Sequence, residues 1–590
     1  MLRQAPRHEA PQGNDLVAPD CHGLNFYEID PAFRALLAHY MAPDLHAHLA
    51  PQLSRLGALA GGKLDELART ADRQPPVLHA RDRFGRDEDW IEYHPAYKEM
   101  ERIALEDFGL HALYHRGGVL GWPRPMGALA KYAIQYLFTQ SEFGLMCPLS
   151  VTDTGTVLIR RYASDEVRQR YLPGLLAEKR DDILMGAQFM TETSGGSDVS
   201  KLTLKAVPDG GRWRLWGDKF FCSHADGDVA LLLARTEGAP AGNRGLSLFL
   251  MPRRLEDGSR NAYRIVRLKR KLGSSSMASG EIKFEGAVAY LLGREGRGLK
   301  QMLDQVNLSR LSHGVRAAAM MRRCLNEALV VARHRVAFGR RLIDLPLLRR
   351  QLMKLMLPSE QALSGCLYAA WSMERADAGD EAAAKRLRLL TPLVKFRACR
   401  DNIAVATGAM EVRGGNGYVE DWVNARLVRD AHLGVLWEGT SNINALDVTA
   451  RAVARERAHE ALGAALSDAL AQAEGLPGQF RGELSAALGR ALVLAERVAA
   501  APKLEPLARQ ASGALYNAMS AVLLAREGAM LGLEADDARR LLLARLVLEH
   551  RLSPRDPLEP ATSAFDQAAA DLLLGDAPVS LQQAAATLAL

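Results

Sequence analysis

Gln188-Phe189-Met190-Thr191-Glu192-Thr193-Ser194-Gly195-Gly196-Ser197-Asp198-Val199 is the stretch whose reading decides the fold. Before it, Asp182-Ile183-Leu184-Met185 is a short apolar run of strand type. After it, Leu202 and Leu204 alternate with Lys201, Thr203 and Lys205, a period of two. The two adjacent glycines let backbone N–H groups come close to a bound group that a side chain would block. The hydroxyls of Thr191 and Ser197 can donate to such a group or accept from it. Taken alone, the loop is an ordinary strand connection, because Gly, Ser and Asp are turn residues.

Outward from this loop the apolar period changes twice. Between about 183 and 293 it is two: Trp213 and Leu215 alternate with Arg212 and Arg214, and Pro208-Asp209-Gly210-Gly211 reads as a hairpin turn. Asp228–Ala234, Leu246–Met251, Tyr263–Leu268 and Glu281–Phe284 add strands, so this region is a small sandwich or barrel. Upstream the chain reads as helical, with three- and four-residue steps in Ala32–Leu37 and Met126–Phe138. Met146–Ser150 reads as a helix end and Ser164-Asp165-Glu166 as the next start. Trp90–Tyr97 breaks the pattern with an extended step before Pro95, and His94 reads as a packing or hydrogen-bonding residue. Downstream, Leu311–His334, Pro346–Arg375 and Ala382–Gly408 are long amphipathic helices that pack as a bundle.

The expected fold is therefore α+β and mostly α. A poorly ordered or contact-making arm (1–30) precedes a helical N-terminal domain (31–182), a middle β domain (183–293) and a helical bundle domain (294–450). An additional C-terminal helical domain (451–590) follows, with helices at Ser485–Ala501, Pro506–Gly528 and Asp536–His550 and a final pair at 561–575 and 579–590. A length of 590 residues is too long for one core. No run of about 18 apolar residues exists and the first ten residues lack an apolar core, so neither a membrane span nor a secretory signal is expected. Six scattered cysteines without C-x-x-C spacing point to reduced thiols in a cytoplasm and away from a zinc site. The net charge of +6 is uneven. Residues 451–590 hold 14 basic and 17 acidic groups, net −3, and the rest of the chain is net +9. A basic body suits a phosphate-bearing ligand.

Four further segments join the opening loop. Lys219-Phe220-Phe221-Cys222-Ser223 offers aromatic rings for a planar ring system and a hydroxyl. Arg335-Val336-Ala337-Phe338-Gly339-Arg340 sets a guanidinium, able to bind phosphate bidentately, three residues before an aromatic. Glu411-Val412-Arg413-Gly414-Gly415-Asn416-Gly417-Tyr418 is a second glycine loop. Leu436-Trp437-Glu438-Gly439-Thr440-Ser441-Asn442-Ile443 places one carboxylate beside an apolar pair, then a hydroxyl and an amide.

In this order, on a helix–sheet–helix chain, the segments resemble the acyl-CoA dehydrogenases over about residues 90–450. The resemblance implies FAD as cofactor, an acyl-CoA thioester as substrate, an electron acceptor such as electron-transfer flavoprotein, and a homotetramer. It implies that Gln188, Met190, Thr191 and Ser197 line the flavin and the acyl-CoA entrance. Phe221, Cys222 and Ser223 would lie against the isoalloxazine and ribityl chain. Arg335, Phe338, Glu411, Gly414 and Gly415 would reach the FAD of a neighbouring subunit. Trp437, Thr440 and Asn442 would hold the flavin and the FAD phosphates and ribose. Arg310 matches an arginine beside the active site, and Glu438 falls at the position of the catalytic base. No metal is implied. Such a base must stand within hydrogen-bond reach of the α-proton, while the β-hydride passes to flavin N5. Glu192 is the rival carboxylate and matches a structural residue.

Four positions depart from the family pattern. Gly273-Ser274-Ser275-Ser276 lacks an Arg common there, Asn307 replaces an acid used in CoA recognition, Phe221 replaces a tryptophan, and Glu411 a glutamine. The resemblance extends to an alkylation-response branch, and with it comes an alternative reading. On that reading the chain would be a flavoprotein that binds duplex DNA through a basic C-terminal domain, with weak or vestigial dehydrogenase activity. Nucleic-acid binding needs clustered Lys and Arg. In residues 451–590 the one basic run is Arg539, Arg540, Arg545, Arg551 and Arg555, and the net charge of −3 disfavours DNA.

Overall fold

A computed structural model of the chain describes residues 17–554, 556, 558 and 563–590. The helices and strands run in order α1 (Pro31–Tyr40), α2 (Pro43–Gly61), α3 (Lys63–Arg73), β1 (Val77–Arg81), β2 (Asp87–Glu92), α4 (Pro95–Arg102) and α5 (Ala128–Thr139). After α6 (Met146–Tyr162) and α7 (Asp165–Leu175) come β3 (Gly186–Phe189), β4 (Lys205–Asp209), β5 (Arg212–Ser223), β6 (Val229–Thr236), β7 (Leu246–Pro252), β8 (Tyr263–Leu268) and β9 (Ser279–Leu292). Then follow α8 (Gly298–His334), a short hairpin β10–β11 (Val336–Ala337, Arg340–Arg341), α9 (Pro346–Asp377), α10 (Glu381–Arg413), α11 (Val423–Gly434) and α12 (Ser441–Leu446). The last six helices are α13 (Ala458–Ala471), α14 (Gly478–Ala500), α15 (Ala508–Glu534), α16 (Arg539–Val547), α17 (Ala564–Leu574) and α18 (Leu581–Leu588). Two compact units hold these elements: residues 17–62, 128–140 and 313–590 in one, 63–127 and 141–312 in the other. No described helix is long and apolar enough to cross a membrane.

In the second unit, seven strands pair in the order β3-β5-β4-β6-β7-β9-β8, and additional pairings β3–β6 and β5–β9 close the sheet on itself. The Pro208–Gly211 hairpin forms as expected, with Asp209 opposite Arg212. Alternate residues of β6 and β7, Val229, Leu231, Leu233 and Leu246, Leu248, Leu250, share one buried cluster with Leu158, Val167 and Tyr171 of α6 and α7. Burying each such side chain contributes about 1.5–3 kcal/mol. Ser164 caps α7 by accepting from Val167 N, and His94 Nδ1 caps α4 by accepting from Ala96 N at 3.1 Å.

Three local expectations fail here. Residues 77–92 form the antiparallel hairpin β1–β2 inside the stretch read as helical, because its partners lie across a turn that no helical period marks. Met146–Ser150 opens α6 rather than ending a helix. Ile183–Met185 is irregular, and the strand starts at Gly186, where Thr152 Oγ1 accepts from Gly186 N at 2.8 Å.

In the first unit, Pro346 starts α9 and Asp380 caps α10 by accepting from Ala383 N at 2.9 Å. Gly379, at φ +95°, makes the turn between them. Both helices run a few residues beyond the expected bounds. Residues 17–30 are a contact segment. Cys21 and Phe26 are fully buried, and Cys21 N donates to Glu327 Oε1 at 3.2 Å. Residues 1–16 lie outside the described residues. Among the C-terminal helices, Ser485 lies inside α14, which starts at Gly478. Pro506 sits in a 3-10 turn ahead of α15.

Among the described residues, the members of the C-terminal basic run differ in exposure and partners. Arg540 is 2% exposed and bonds Glu360 Oε2 at 2.6 Å, Glu527 Oε2 at 2.9 Å and Ser364 Oγ at 2.6 Å. Arg539 bonds Asp537 at 2.8 Å, and Arg545 bonds Glu483 and Glu549. Arg551 is exposed, and Arg555 lies outside the described residues. Of the described members of this run, Arg540 is spent inside the fold and Arg539 and Arg545 are paired with acids.

One carboxylate gives this unit a pH dependence. Glu374 on α9 accepts from Leu129 N at the start of α5, at 2.8 Å. Burial raises its pKa from 4.5 to about 7, with the Leu129 bond opposing and Asp377 adding to the rise. The folded state therefore holds this proton more tightly than the unfolded chain. Its stabilisation is complete below about pH 4.5, declines as pH rises, and is lost above about 7. Glu374→Gln should thus gain in melting temperature relative to the parent as pH rises through this window. A pH-independent difference would refute the assignment.

Candidate active site

The expected site residues fall into two groups, one per unit. In the second unit, β3 pairs with β5 so that Gln188 stands opposite Ser223 and Phe189 opposite Cys222. Phe220 N donates to Thr191 O at 2.8 Å, which carries the register into the loop. Met190, Thr191 and Ser223 are half-buried, while Ser197 and Phe221 are exposed. Strand alternation sends the Cys222 side chain the other way, fully buried, and burial pushes its thiol up. The ammonium of Lys269 lies over the Phe220 and Phe221 rings, 3.1 and 4.6 Å from their centroids. Arg310 is buried and its Nη1 donates to Asn307 Oδ1 at 3.3 Å. The serine turn that replaces the family's arginine has Ser274 at φ +50°, with Lys271 Nζ donating to Ser274 O at 2.8 Å.

Glu192 explains how the glycine loop keeps its shape. Its carboxylate accepts from Lys219 Nζ at 2.8 Å, from Thr203 Oγ1 at 2.9 Å and from Leu204 N. Lys219 Nζ also donates to Met190 O at 3.2 Å. Burial raises the Glu192 pKa, but the Lys219 charge and the Thr203 donors outweigh it and hold the group below its ordinary value. A Cβ on Gly195 would come within 2.6 Å of Asp198 O, so that glycine serves the loop's own close approach. Glu192 is thus a clamp, as expected. Lys219→Met should cost about 3–5 kcal/mol in urea unfolding by stranding a buried carboxylate, and adding Glu192→Leu should recover most of it. A single variant as stable as the parent would contradict this.

In the first unit, Trp437-Glu438-Gly439-Thr440 forms the turn between α11 and α12. Glu438 has φ +52° and Gly439 φ +91°. Left-handed backbone at a non-glycine residue costs of order 1–3 kcal/mol and persists only where surrounding structure enforces it. The enforcing groups are here. Asn444 Nδ2 donates to Gly439 O at 2.7 Å and to Thr440 O at 3.0 Å, and the buried Lys395 Nζ donates to Gly439 O. The His313 ring meets the Trp437 ring edge-on, centroids 5.5 Å apart, and the Arg316 guanidinium lies 5.8 Å over it. Glu438, Trp437 and Thr440 are half-buried and Asn442 is exposed.

Arg335 leads into the β10–β11 hairpin and Phe338 lies in its turn. Phe338 is 93% exposed at φ +53°. Gly414, at φ +71°, ends α10, and Gly414 and Gly415 have open space where a Cβ would stand. Glu411 is exposed and accepts from Gln351 Nε2 at 3.1 Å. Sequence reading missed Lys395, Asn444 and Lys219. A buried lysine on a long helix or a strand carries no local signal of its partner.

Comparison with known proteins now bears on this arrangement. The family model for the adaptive response protein AidB N-terminal domain matches residues 17–182. The acyl-CoA dehydrogenase middle-domain model matches 187–287, and the C-terminal-domain model 296–453. AidB of Escherichia coli (strain K12) is 36% identical over 423 residues, 69% of this chain and 73% of its own. Acyl-CoA dehydrogenase family member 11 of Caenorhabditis elegans is 30% identical over 452 residues, 75% of this chain and 72% of its own. The crystal structure of Caenorhabditis elegans ACDH-11 in complex with C11-CoA superposes with a TM-score of 0.85 at 26% identity, covering 93% of this chain and 95% of that one. A mostly helical chain with a closed β domain, three successive domain matches and an AidB-type N-terminal domain lead to one conclusion: this chain belongs to the acyl-CoA dehydrogenase family of oxidoreductases.

Proposed function

We propose that this chain is an FAD-dependent dehydrogenase of acyl-CoA thioesters in which Glu438 removes the α-proton. The observation that carries the reading is the left-handed Glu438, a strained carboxylate on a turn anchored at two successive carbonyls. The residues present suit FAD. Thr191, Ser197 and Ser223 offer hydroxyls and Gln188 an amide, with Phe221 exposed for a planar ring. Cys222, whose side chain is buried, would contribute its backbone alone. Arg335 offers a guanidinium to phosphate. Thr440, Asn442 and the open Gly414-Gly415 backbone would hold the rest, with Trp437 beside the ring system and Glu411 at the edge.

FAD, when bound, accepts the β-hydride of the thioester. Glu438 accepts the α-proton on its carboxylate oxygen, which must lie within hydrogen-bond reach of that carbon. Arg310 is assigned to charge at the reacting thioester by its match to the family's active-site arginine. The exposed Arg335 and Phe338 fit a homo-oligomer, a tetramer in this proposal, in which each hairpin serves a neighbouring subunit's cofactor. The electron acceptor is proposed to be of the electron-transfer flavoprotein type. Six free, buried cysteines support a cytoplasmic setting. Duplex DNA is not part of the proposal.

An absorbance spectrum tests the reading. Purified protein should show oxidised-flavin bands that bleach anaerobically with straight-chain acyl-CoA thioesters, C11-CoA among them because a relative is seen with it. Protein that stays colourless after reconstitution with FAD would overturn it.

A further inference from the structure

We propose that Lys395 is the positioning residue for Glu438, holding the turn that aims its carboxylate; this rests on the reading of Glu438 as the base. Lys395 lies on α10, 1% exposed, and its Nζ donates to the carbonyl of Gly439, the residue after the base. A buried ammonium must be hydrogen-bonded, and a charged donor makes a bond roughly twice as strong as a neutral one. The Gly439 carbonyl receives a second donor, Asn444 Nδ2, at 2.7 Å. These bonds converge where the chain passes through two successive left-handed residues, φ +52° and +91°. Relaxation of either residue swings the Glu438 side chain.

The same face of α10 supports the rest of the turn. Cys399, four residues on, donates through Sγ to His313 O at 3.7 Å, and the His313 ring meets Trp437. A Cβ on Gly434, where α11 ends, would touch Cys399 Sγ at 3.2 Å, so the entry to the turn is seated on this helix too. Lys395 is the member of that face whose charge reaches the main chain of the turn itself. Without it one donor to Gly439 O is lost, the left-handed pair is held less firmly, and the carboxylate drifts from the α-carbon. A displacement near 1 Å costs about 10²-fold in rate.

The test uses the FAD-loaded protein with the straight-chain acyl-CoA series, and reads flavin reduction per bound flavin beside exchange of the thioester α-proton in deuterated water. Lys395→Met should slow both by about 10²-fold, leave KM within about threefold, and regain about 10-fold when Arg replaces Met. Glu438→Gln is measured beside it. If Lys395→Met matches the parent while Glu438→Gln is inactive, the inference about Lys395 is wrong and the base reading stands. If Glu438→Gln matches the parent, the base reading is what fails. A Lys395→Arg variant as slow as Lys395→Met marks plain packing and also overturns the inference. Should Lys395→Met not accumulate with flavin, Lys395→Gln, which keeps one N–H for the carbonyl, should still be slowed. A parental rate in that variant overturns the inference equally.

Discussion

Glu438→Gln should yield a yellow, folded protein whose flavin no acyl-CoA thioester reduces. Gln keeps the volume of Glu and its place on the left-handed turn, and it removes only the carboxylate able to take a proton. A lost general base costs on the order of 10²-fold or more. The turn itself should survive, because its anchors bond the main chain: Asn444 reaches the carbonyls of Gly439 and Thr440, and Lys395 that of Gly439. Stopped-flow absorbance under anaerobic conditions separates the outcomes. Flavin content and melting temperature should match the parent while the bleaching phase disappears. Reduction at the parental rate would mean that another group takes the proton. Glu192 is a poor substitute, since Lys219 and Thr203 already occupy its oxygens.

The second large effect is expected at Arg540. A chain of buried charges runs from the N-terminal segment to the C-terminal helices. Tyr136 Oη donates to Asp30 at 2.9 Å, and Arg322 Nε pairs with Asp30 at 3.1 Å. Arg322 also bonds Glu360, Glu360 pairs with Arg540, and Arg540 with Glu527, to which Tyr40 Oη donates at 3.0 Å. Burial raises the Glu360 pKa, yet Arg322 and Arg540 together hold it down to about 2. Arg540→Ala leaves Asp30 and Glu360 sharing Arg322 and takes from Glu527 the guanidinium it pairs with. Removing one partner of such a set costs about 3–5 kcal/mol. Arg539→Ala and Arg545→Ala remove half-exposed pairs and should cost no more than about 1 kcal/mol each. Urea unfolding of the three variants should rank Arg540 well apart. Three equal small losses would show that the network does not lock α15 and α16 onto α9.

Much of the fold was legible because its signals are local. The apolar period passes from three-and-four to two near residue 183 and back near 298, and each period belongs to residues within one or two turns of each other. Cap residues such as Ser164 and Asp380 mark helix starts for the same reason. The candidate site segments stand out as motifs: Gln188 to Ser197, Phe221 to Ser223, Arg335 to Phe338, Gly414-Gly415 and Trp437 to Asn442. What local pattern could not supply was partnership. Residues 77–92 lie in a region that reads as helical from its neighbours and form a hairpin because β2 pairs with β1 across a turn.

Arg539 to Arg555 is one basic run in sequence, and no local rule tells its members apart. Tertiary structure does, since Glu360 lies 180 residues from Arg540 and Glu527 only 13, and together they draw that arginine into the core. The sequence alone determined the helix–sheet–helix order of the chain and the family pattern, and it put a carboxylate at 438. Only the tertiary structure decided that Glu438 sits left-handed, that Lys395 reaches the next carbonyl, and which arginines face water. Those outcomes depend on burying or pairing a charge, and the free energy of a charge is set by groups brought near it from distant parts of the chain.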